Sequence, residues 1–321
     1  MREKIKLSII CLTYNHEKYI KTTLEGFLKQ KVNFRYEILI NDDASLDKTP
    51  KILKDYEKRY PEKIKVIYQK ENCYSKGISP SKFLYEVAQG DYLAFCEGDD
   101  YWIDENKLQK QIDFLEKNQD FVGTSHNVII IDENNYIRED YQKFYPLYKE
   151  HEIDKGKLEI GEVVGQTATI VCRNFIPILK EKKILLEKYR TNGDVKINAI
   201  LTNLGKIHFF EDKMSCYRRS YTGDSWNARI KNKNLSIYYY NSILEIKRLI
   251  KDLFNIEIDV SEKLFNIVLS SFLFKTPNRE NLKISRQLFL EYHYKIKFLY
   301  YFIIKIYKFL FKNKNKFRKE K

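Results

Sequence analysis

Apolar positions along the first third of the chain follow two rhythms in alternation. Leu7-Ser8-Ile9-Ile10-Cys11-Leu12 is a near-continuous apolar run, as in a strand covered on both faces. Behind it Ile20, Leu24, Phe27 and Leu28 recur at helical spacing and give one helix face an apolar stripe. Glu37-Ile38-Leu39-Ile40 restores the strand pattern. Thr49-Pro50 opens a second helix, with Asp47 or Ser45 as its cap and proline near its first position. Ile64–Tyr68 predicts a third strand, a helix follows from about Ser79-Pro80, and residues 92–96 read as a fourth strand. Four alternations of strand and helix predict a parallel α/β sheet rather than segregated helical and sheet regions.

The later pattern is more varied. Lys107 to Leu115 predicts an amphipathic helix capped by Asp104. Phe121–Ile131 predicts a strand whose His126 reads as a hydrogen-bonded core residue. Residues 140–160 look irregular, and 166–172 predict another strand. Val195, Ile197, Ile200, Leu201 and Leu204 predict a helix that Gly205 ends in the left-handed conformation. Two strands are expected at 206–210 and 213–217. Beyond Trp226 the pattern turns helical, broken at Pro277. The final aromatic and aliphatic stretch carries Lys297, Lys305, Lys308 and Lys312 on one narrow face, followed by Lys314, Lys316, Arg318, Lys319 and Lys321. That arrangement predicts an interfacial helix on an anionic membrane surface, its lysines reaching to the headgroups. A core-packed helix with a solvated basic end is the competing reading.

Charge sharpens this picture. The 321 residues carry a net charge of +14, which favours nucleotides, nucleic acid or anionic lipid as partners. Nucleic acid fits poorly, because the positive residues gather in the tail while the predicted strand ends are acidic. The five cysteines are widely spaced without a Cys-x-x-Cys, so neither disulfides nor a zinc site are expected and a reducing compartment is. No run reaches about 18 apolar residues, and the first residues lack a signal-peptide core. The expected location is the cytoplasm, peripheral on the inner face of the membrane.

Ligands of open α/β sheets collect at the carboxyl ends of the strands. Tyr14-Asn15, Asp42-Asp43 and the group Glu97, Asp99 and Asp100 each follow a predicted strand, so all three should meet at one edge. Three carboxylates within four residues repel one another unless a cation takes up the charge. Such a density of hard oxygens suits Mg²⁺ or Mn²⁺. There is no Gly-x-Gly-x-x-Gly and no Gly-Lys-Ser/Thr loop, so phosphate would be held through the metal. Asp194, at a helix start, is equally readable as an N-cap or as a functional acid on spacing alone.

Taken together, Ser8-Ile9-Ile10-Cys11-Leu12-Thr13-Tyr14-Asn15, Ile40-Asn41-Asp42-Asp43-Ala44-Ser45-x-Asp47-x-Thr49, Gly90-Asp91-Tyr92, Cys96-Glu97-Gly98-Asp99-Asp100-Tyr101-Trp102 and Gly193-Asp194 resemble the family 2 glycosyltransferases, over roughly residues 5–228. The resemblance implies an α/β GT-A fold over 1–228, with 229–321 as a helical C-terminal extension. It further implies an inverting, metal-dependent transferase of the bacterial surface-polysaccharide type. The donor would be a nucleotide-diphosphate sugar, UDP-linked by default, and the acceptor a glycan or a lipid-linked sugar. The alternative is a non-catalytic nucleotide-sugar-binding protein of the same fold.

Roles carry over by position. Thr13, Tyr14 and Asn15 fall where the nucleotide base is contacted, and Asp42, Asp43 and Ser45 where base and ribose are read. Glu97 and Asp99 fall in the ribose- and diphosphate-binding region, with Asp99 and Asp100 at the metal. Asp194 takes the place of the general base. Trp102, Gln166 and Thr167 lie near the acceptor, and Arg218 on the loop that covers the diphosphate. Glu97 stands where many relatives have Asp; its extra methylene favours a water-mediated or ribose role over direct ligation. Ser220 stands where many have His, which removes a metal contact from that loop.

Overall fold

A computed structural model describes residues 4–142, 147–154, 164–220, 235–260 and 263–264. Its first half follows the expected alternation: β1 (Ile5–Thr13), α1 (Ile20–Leu28), β2 (Arg35–Asp42), α2 (Thr49–Arg59), β3 (Ile64–Tyr68), α3 (Ser81–Val87) and β4 (Tyr92–Phe95). Strands β3, β2, β1 and β4 lie side by side in that order, every pair parallel. The unbroken apolar runs are explained by burial on both faces. Leu7, Ile9 and Cys11 of β1 point into one core, with Ile38 and Ile40 of β2 and Ala94 of β4; Ile10, Leu39, Leu93 and Phe95 point into the other. Helices α1 and α2 cover the first core through Leu24, Phe27, Leu53 and Tyr56. Burying each such side chain contributes about 1.5–3 kcal/mol.

The second half departs from a purely parallel plan. It runs β5 (Tyr101–Trp102), α4 (Lys107–Lys117), β6 (Phe121–Ile131), α5 (Glu139–Gln142), β7 (His151–Ile153), β8 (Val171–Arg173), α6 (Ile176–Glu181), α7 (Gly193–Leu204), β9 (Lys206–Arg218) and α8 (Leu235–Phe254). Strand β8 runs antiparallel between β4 and β6, β6 pairs parallel with β9, and β5 and β7 pair antiparallel with β9. Helix α8, past residue 228, packs Ile246, Leu249, Ile250 and Leu253 into the second core beside residues of α6 and α7.

Several sequence expectations change here. Residues 166–172 are not one strand. Gln166 Oε1 accepts from Ala168 N at 2.6 Å and Thr169 Oγ1 donates to the Gln166 carbonyl at 2.6 Å, which winds 167–169 into a 3₁₀ turn before β8 starts. The two strands expected at 206–217 are one, β9, whose polar Glu211-Asp212 bulges out opposite the step from His126 to Asn127. Gly205 is extended (φ −175°), not left-handed. A side chain there would meet Val122 Cγ1 at 2.6 Å and the Asp120 carbonyl at 3.0 Å, so close approach selects the glycine. Asp47 accepts from Thr49 N ahead of α2, whereas Asp104 accepts from Asn106 N just before α4 and caps no helical amide with its side chain. His126 is buried in β6 with Nδ1 2.8 Å from the Asn127 carbonyl, as a core residue. The lysine-bearing tail lies outside the described residues, among which no helix is long and apolar enough to cross a membrane.

Candidate active site

The loops after β1 and β2 are locked together, and the locking explains a motif. Asn15 (φ 55°) and Ala44 (φ 61°) both adopt the left-handed conformation, which needs outside support. Ser45 Oγ, Thr49 Oγ1 and Asp47 Oδ2 accept from three successive amides, Asn15 N, His16 N and Glu17 N, each at 2.9 Å. In return Asn15 Oδ1 accepts from Leu46 N at 2.8 Å and Glu17 Oε2 from Lys48 N at 2.9 Å. The spacing Ser-x-Asp-x-Thr is therefore that of one extended loop reading the amides of another.

Asp42 is buried and takes the Ser45 hydroxyl; burial is the main cause raising its pKa, partly offset by that bond. Asp43 accepts from Cys73 N at 2.8 Å and Tyr74 N at 3.0 Å, so its carboxylate fixes the segment that follows β3. Thr13, also buried, has its Oγ1 against Gly98, where a Cβ would come within 2.7 Å of it. Tyr14 and Asn15 stay partly exposed at the mouth of this loop pair.

The acidic turn after β4 lies next to these loops. Gly98 N donates to the Leu12 carbonyl at 2.8 Å, which ties the turn to the end of β1. Its three acids have different surroundings. Asp100 is 2 % exposed and satisfied on both oxygens, by Arg218 N at 2.7 Å and Gln166 Nε2 at 2.8 Å. Burial, then Asp99 and Glu97, raise its pKa well above the carboxylate range. Glu97 bonds the Thr167 hydroxyl, and its pKa is pushed up to about 8 by burial first, then by the charges of Asp99 and Asp194. Asp99 is partly exposed, and its carboxylate faces His16, with Nε2 3.8 Å from Oδ2.

This donor set fits a divalent cation whose shell is completed by substrate. One accessible carboxylate and a neighbouring imidazole stand beside two further acids whose pKa values are raised, and no group of three protein ligands occurs among the described residues. Mg²⁺ and Mn²⁺ sites on nucleotides have this composition, with few protein ligands and several phosphate or water oxygens. Asp99 is the acid accessible enough that it could hold such an ion; Asp100, buried and doubly bonded, supports the turn.

Asp194 occupies the first turn of α7, its Oδ1 2.8 Å from Val195 N, with a pKa raised by burial. It is among the charges that raise the Glu97 pKa, which sets the start of α7 near the acidic turn. These segments lie about a hundred residues apart in sequence and are joined by the fold.

Three expected site residues are placed elsewhere. Trp102 is 4 % exposed, packed on Phe27 (centroids 4.6 Å), with Nε1 donating to the Ala168 carbonyl at 2.9 Å. It belongs to the core below the site rather than to an acceptor surface. Gln166 spends its amide on Asp100 and Ala168, so it orients the turn and not the acceptor. Arg218 ends β9 buried. Its Nε donates to the Asp99 carbonyl at 2.9 Å, Nη1 to the Asp132 carbonyl at 2.6 Å and Nη2 to Asn135 Oδ1 at 2.7 Å, and the guanidinium lies 4.1 Å from the Tyr19 ring. The arginine braces the acidic turn instead of covering a diphosphate; most of the covering loop, 221–234, lies outside the described residues. His16 was missed as a site residue, although its place directly after Tyr14-Asn15 was available as a signal.

Comparison with known proteins agrees with this geometry. The sequence pattern of glycosyl transferase family 2 matches residues 8–176. An uncharacterised protein of Mycobacterium tuberculosis is 31% identical over 223 residues, 66% of this chain and 58% of that protein. A putative teichuronic acid biosynthesis glycosyltransferase of Bacillus subtilis is 38% identical over 127 residues, 39% of this chain and 48% of that protein. The chain thus spans about half the length of these curated relatives. Among solved structures, residues 1–349 of Staphylococcus aureus TarS bound to UDP-GlcNAc superpose with a TM-score of 0.62 at 19% identity, over 87% of this chain and 78% of that one, which places the fold in the GT-A class. With the family pattern running from the middle of β1 to the start of α6, over more than half of the sequence, the chain belongs to glycosyl transferase family 2.

Proposed function

We propose that this protein is an inverting, metal-dependent glycosyltransferase. It moves a sugar from a nucleotide-diphosphate donor, UDP-linked by default, to a glycan or lipid-linked acceptor in cell-surface polysaccharide synthesis. Its place is the cytoplasm, at the inner face of the membrane. The carrying observation is that the acidic turn after β4 is tied to the end of β1 and keeps Asp99 accessible beside His16, while Asp194 at the start of α7 is among the charges acting on Glu97 of the same turn. Two carboxylate sites of distinct surroundings near one another suit a base on one side of a reacting sugar and a leaving-group site on the other.

The residues divide the chemistry among them. Tyr14, Asn15 and the Asp43-fixed segment form the end of the cavity that receives the base. Glu97, protonated at neutral pH in the ligand-free protein, can donate a hydrogen bond to a ribose hydroxyl. Asp99 would hold the divalent ion, which on binding supplies Lewis-acid stabilisation of the departing diphosphate. Asp194, whose raised pKa makes it a stronger base than a solvated aspartate, takes the proton of the acceptor hydroxyl. That oxygen bonds to the anomeric carbon as the bond to the diphosphate oxygen breaks, and one displacement inverts the centre.

A thermal-shift screen of UDP- and GDP-sugars with and without Mn²⁺ tests this, since a ligand specific to the native state raises the melting point by mass action. The expected result is a shift with one donor class that EDTA abolishes, together with slow donor turnover. A shift that survives EDTA removes the metal. A shift without turnover in any saccharide mixture leaves a binding protein only.

A further inference from the structure

Helix α8 lies beyond the family match, yet it is fastened to the segment that carries Asp194. Tyr189 Oη donates to Asp252 Oδ2 at 2.7 Å and Arg248 Nη2 donates to the Lys188 carbonyl at 2.6 Å. The hydroxyls of Thr191 and Ser242 bond to each other, three residues ahead of Asp194. Beneath these bonds Tyr240, Ile243, Ile246 and Ile250 are buried, so the helix cannot slide along α7 without breaking a core.

Tyr238 and Ser242 stand four residues apart and share one helix face. Since Ser242 meets Thr191, Tyr238 lies one turn further toward the Asp194 end. The Tyr238 ring is half-buried, and after burial itself the charges of Asp194 and Tyr74 are the largest influences on its hydroxyl. Tyr74 comes from a different part of the chain: it opens the 3₁₀ turn Tyr74–Lys76, is 50% exposed, and its amide is held by Asp43. Tyr238, one helical turn from the Ser242–Thr191 bond, and Tyr74, held by Asp43, thus come from separate segments to the neighbourhood of the carboxylate proposed as the base.

We propose that Tyr238 and Tyr74 form the acceptor subsite, presenting ring faces to the apolar face of an acceptor sugar so that its hydroxyl lies at Asp194. Tyrosine suits such a contact because it gives a large, rigid, amphipathic surface and loses little conformational entropy on binding. Sugars offer a C–H face to such rings and hydroxyls to the acids around them. The proposal rests on Asp194 as the base and deepens that reading: an element outside the family match completes the site and selects the acceptor.

The experiment uses the full chain with UDP and Mn²⁺, and measures saturation-transfer NMR signals of the methyl glycosides of glucose, N-acetylglucosamine and galactose. In Tyr238→Ala the saccharide signal should fall about tenfold while UDP affinity stays within about twofold, and Tyr238→Trp should restore it, as expected for stacking. With the matching donor, the acceptor KM should rise more than kcat falls. The proposal is overturned if Tyr238→Ala keeps the signal, if UDP affinity falls along with it, if Tyr238→Trp fails to restore it, or if the wild type binds none of the glycosides. Absence of UDP or GDP binding by the wild type would instead remove the transferase reading itself.

Discussion

The two sides of the cavity are built on opposite principles. In the loops after β1 and β2 the acids and hydroxyls are matched within the protein: Ser45, Asp47 and Thr49 take three successive amides, and Asp43 takes two more. In the turn after β4 and at the start of α7, acids crowd together so that ionising one disfavours ionising the next, and Glu97 feels both Asp99 and Asp194. The first region is fixed before any ligand arrives, so little ordering entropy is lost on binding. The second is held in an electrostatically unfavourable state that a cation and a diphosphate relieve. Rigidity on one side and frustration on the other is the arrangement expected where binding energy must appear at the reacting bond.

Substitutions can break this contrast, and the largest effect belongs to the frustrated side. Asp194→Asn should lower sugar transfer by ~10²–10⁴-fold with UDP affinity nearly unchanged, measured by donor turnover and calorimetry; full transfer activity in this variant would refute its role as base. Next comes the brace between the regions. Arg218→Ala leaves two carbonyls and Asn135 without their donor in a buried place, and should cost about 3 kcal/mol in urea unfolding. A loss below about 1 kcal/mol would mean that the guanidinium is free to serve the diphosphate after all.

Glu97→Gln sharpens the comparison by its sign. The folded-state pKa of Glu97 is raised to about 8, so the unfolded chain releases that proton first and the wild type loses stability between about pH 4.5 and 8. The variant lacks this loss. Without ligand it should be more stable than the wild type at pH 8, by on the order of 2 kcal/mol after allowance for solvent at the open turn, and indistinguishable near pH 4. Thr49→Val on the matched side should do the reverse at every pH, costing about 1 kcal/mol for the unsatisfied His16 amide. If both variants destabilise equally at pH 8, the two sides are not different in kind.

How much of this was legible in the sequence follows from the range over which each signal acts. The apolar runs of β1 and β2 announce burial on both faces because strand burial is written into consecutive residues. The acids after β2 and β4 were equally visible, since each group directly follows such a run, whereas Asp194 at a helix start stood out only through the family resemblance. The failures share another cause. Trp102 and Arg218 turn inward because β5 pairs with β9, Tyr101 opposite Cys216, and nothing local encodes a pairing across more than a hundred residues. Gly205 matches a helix-terminating glycine in composition, but its cause is the Val122 side chain, again distant in sequence. The 3₁₀ turn at 167–169 escaped because Gln166 and Thr169 bond their neighbours instead of extending the ladder.

The seating of α8 bears on how the molecule can be divided. Ile246, Leu249, Ile250 and Leu253 close a wall that also contains Leu179, Leu186 and Ile200. Trimming the polypeptide at residue 228, the edge suggested by family likeness, would strip that wall and expose a contiguous greasy surface prone to self-association. The smallest piece able to stand alone should therefore run past Phe254. Swapping acceptor preference between relatives would likewise require moving this helix together with the catalytic unit.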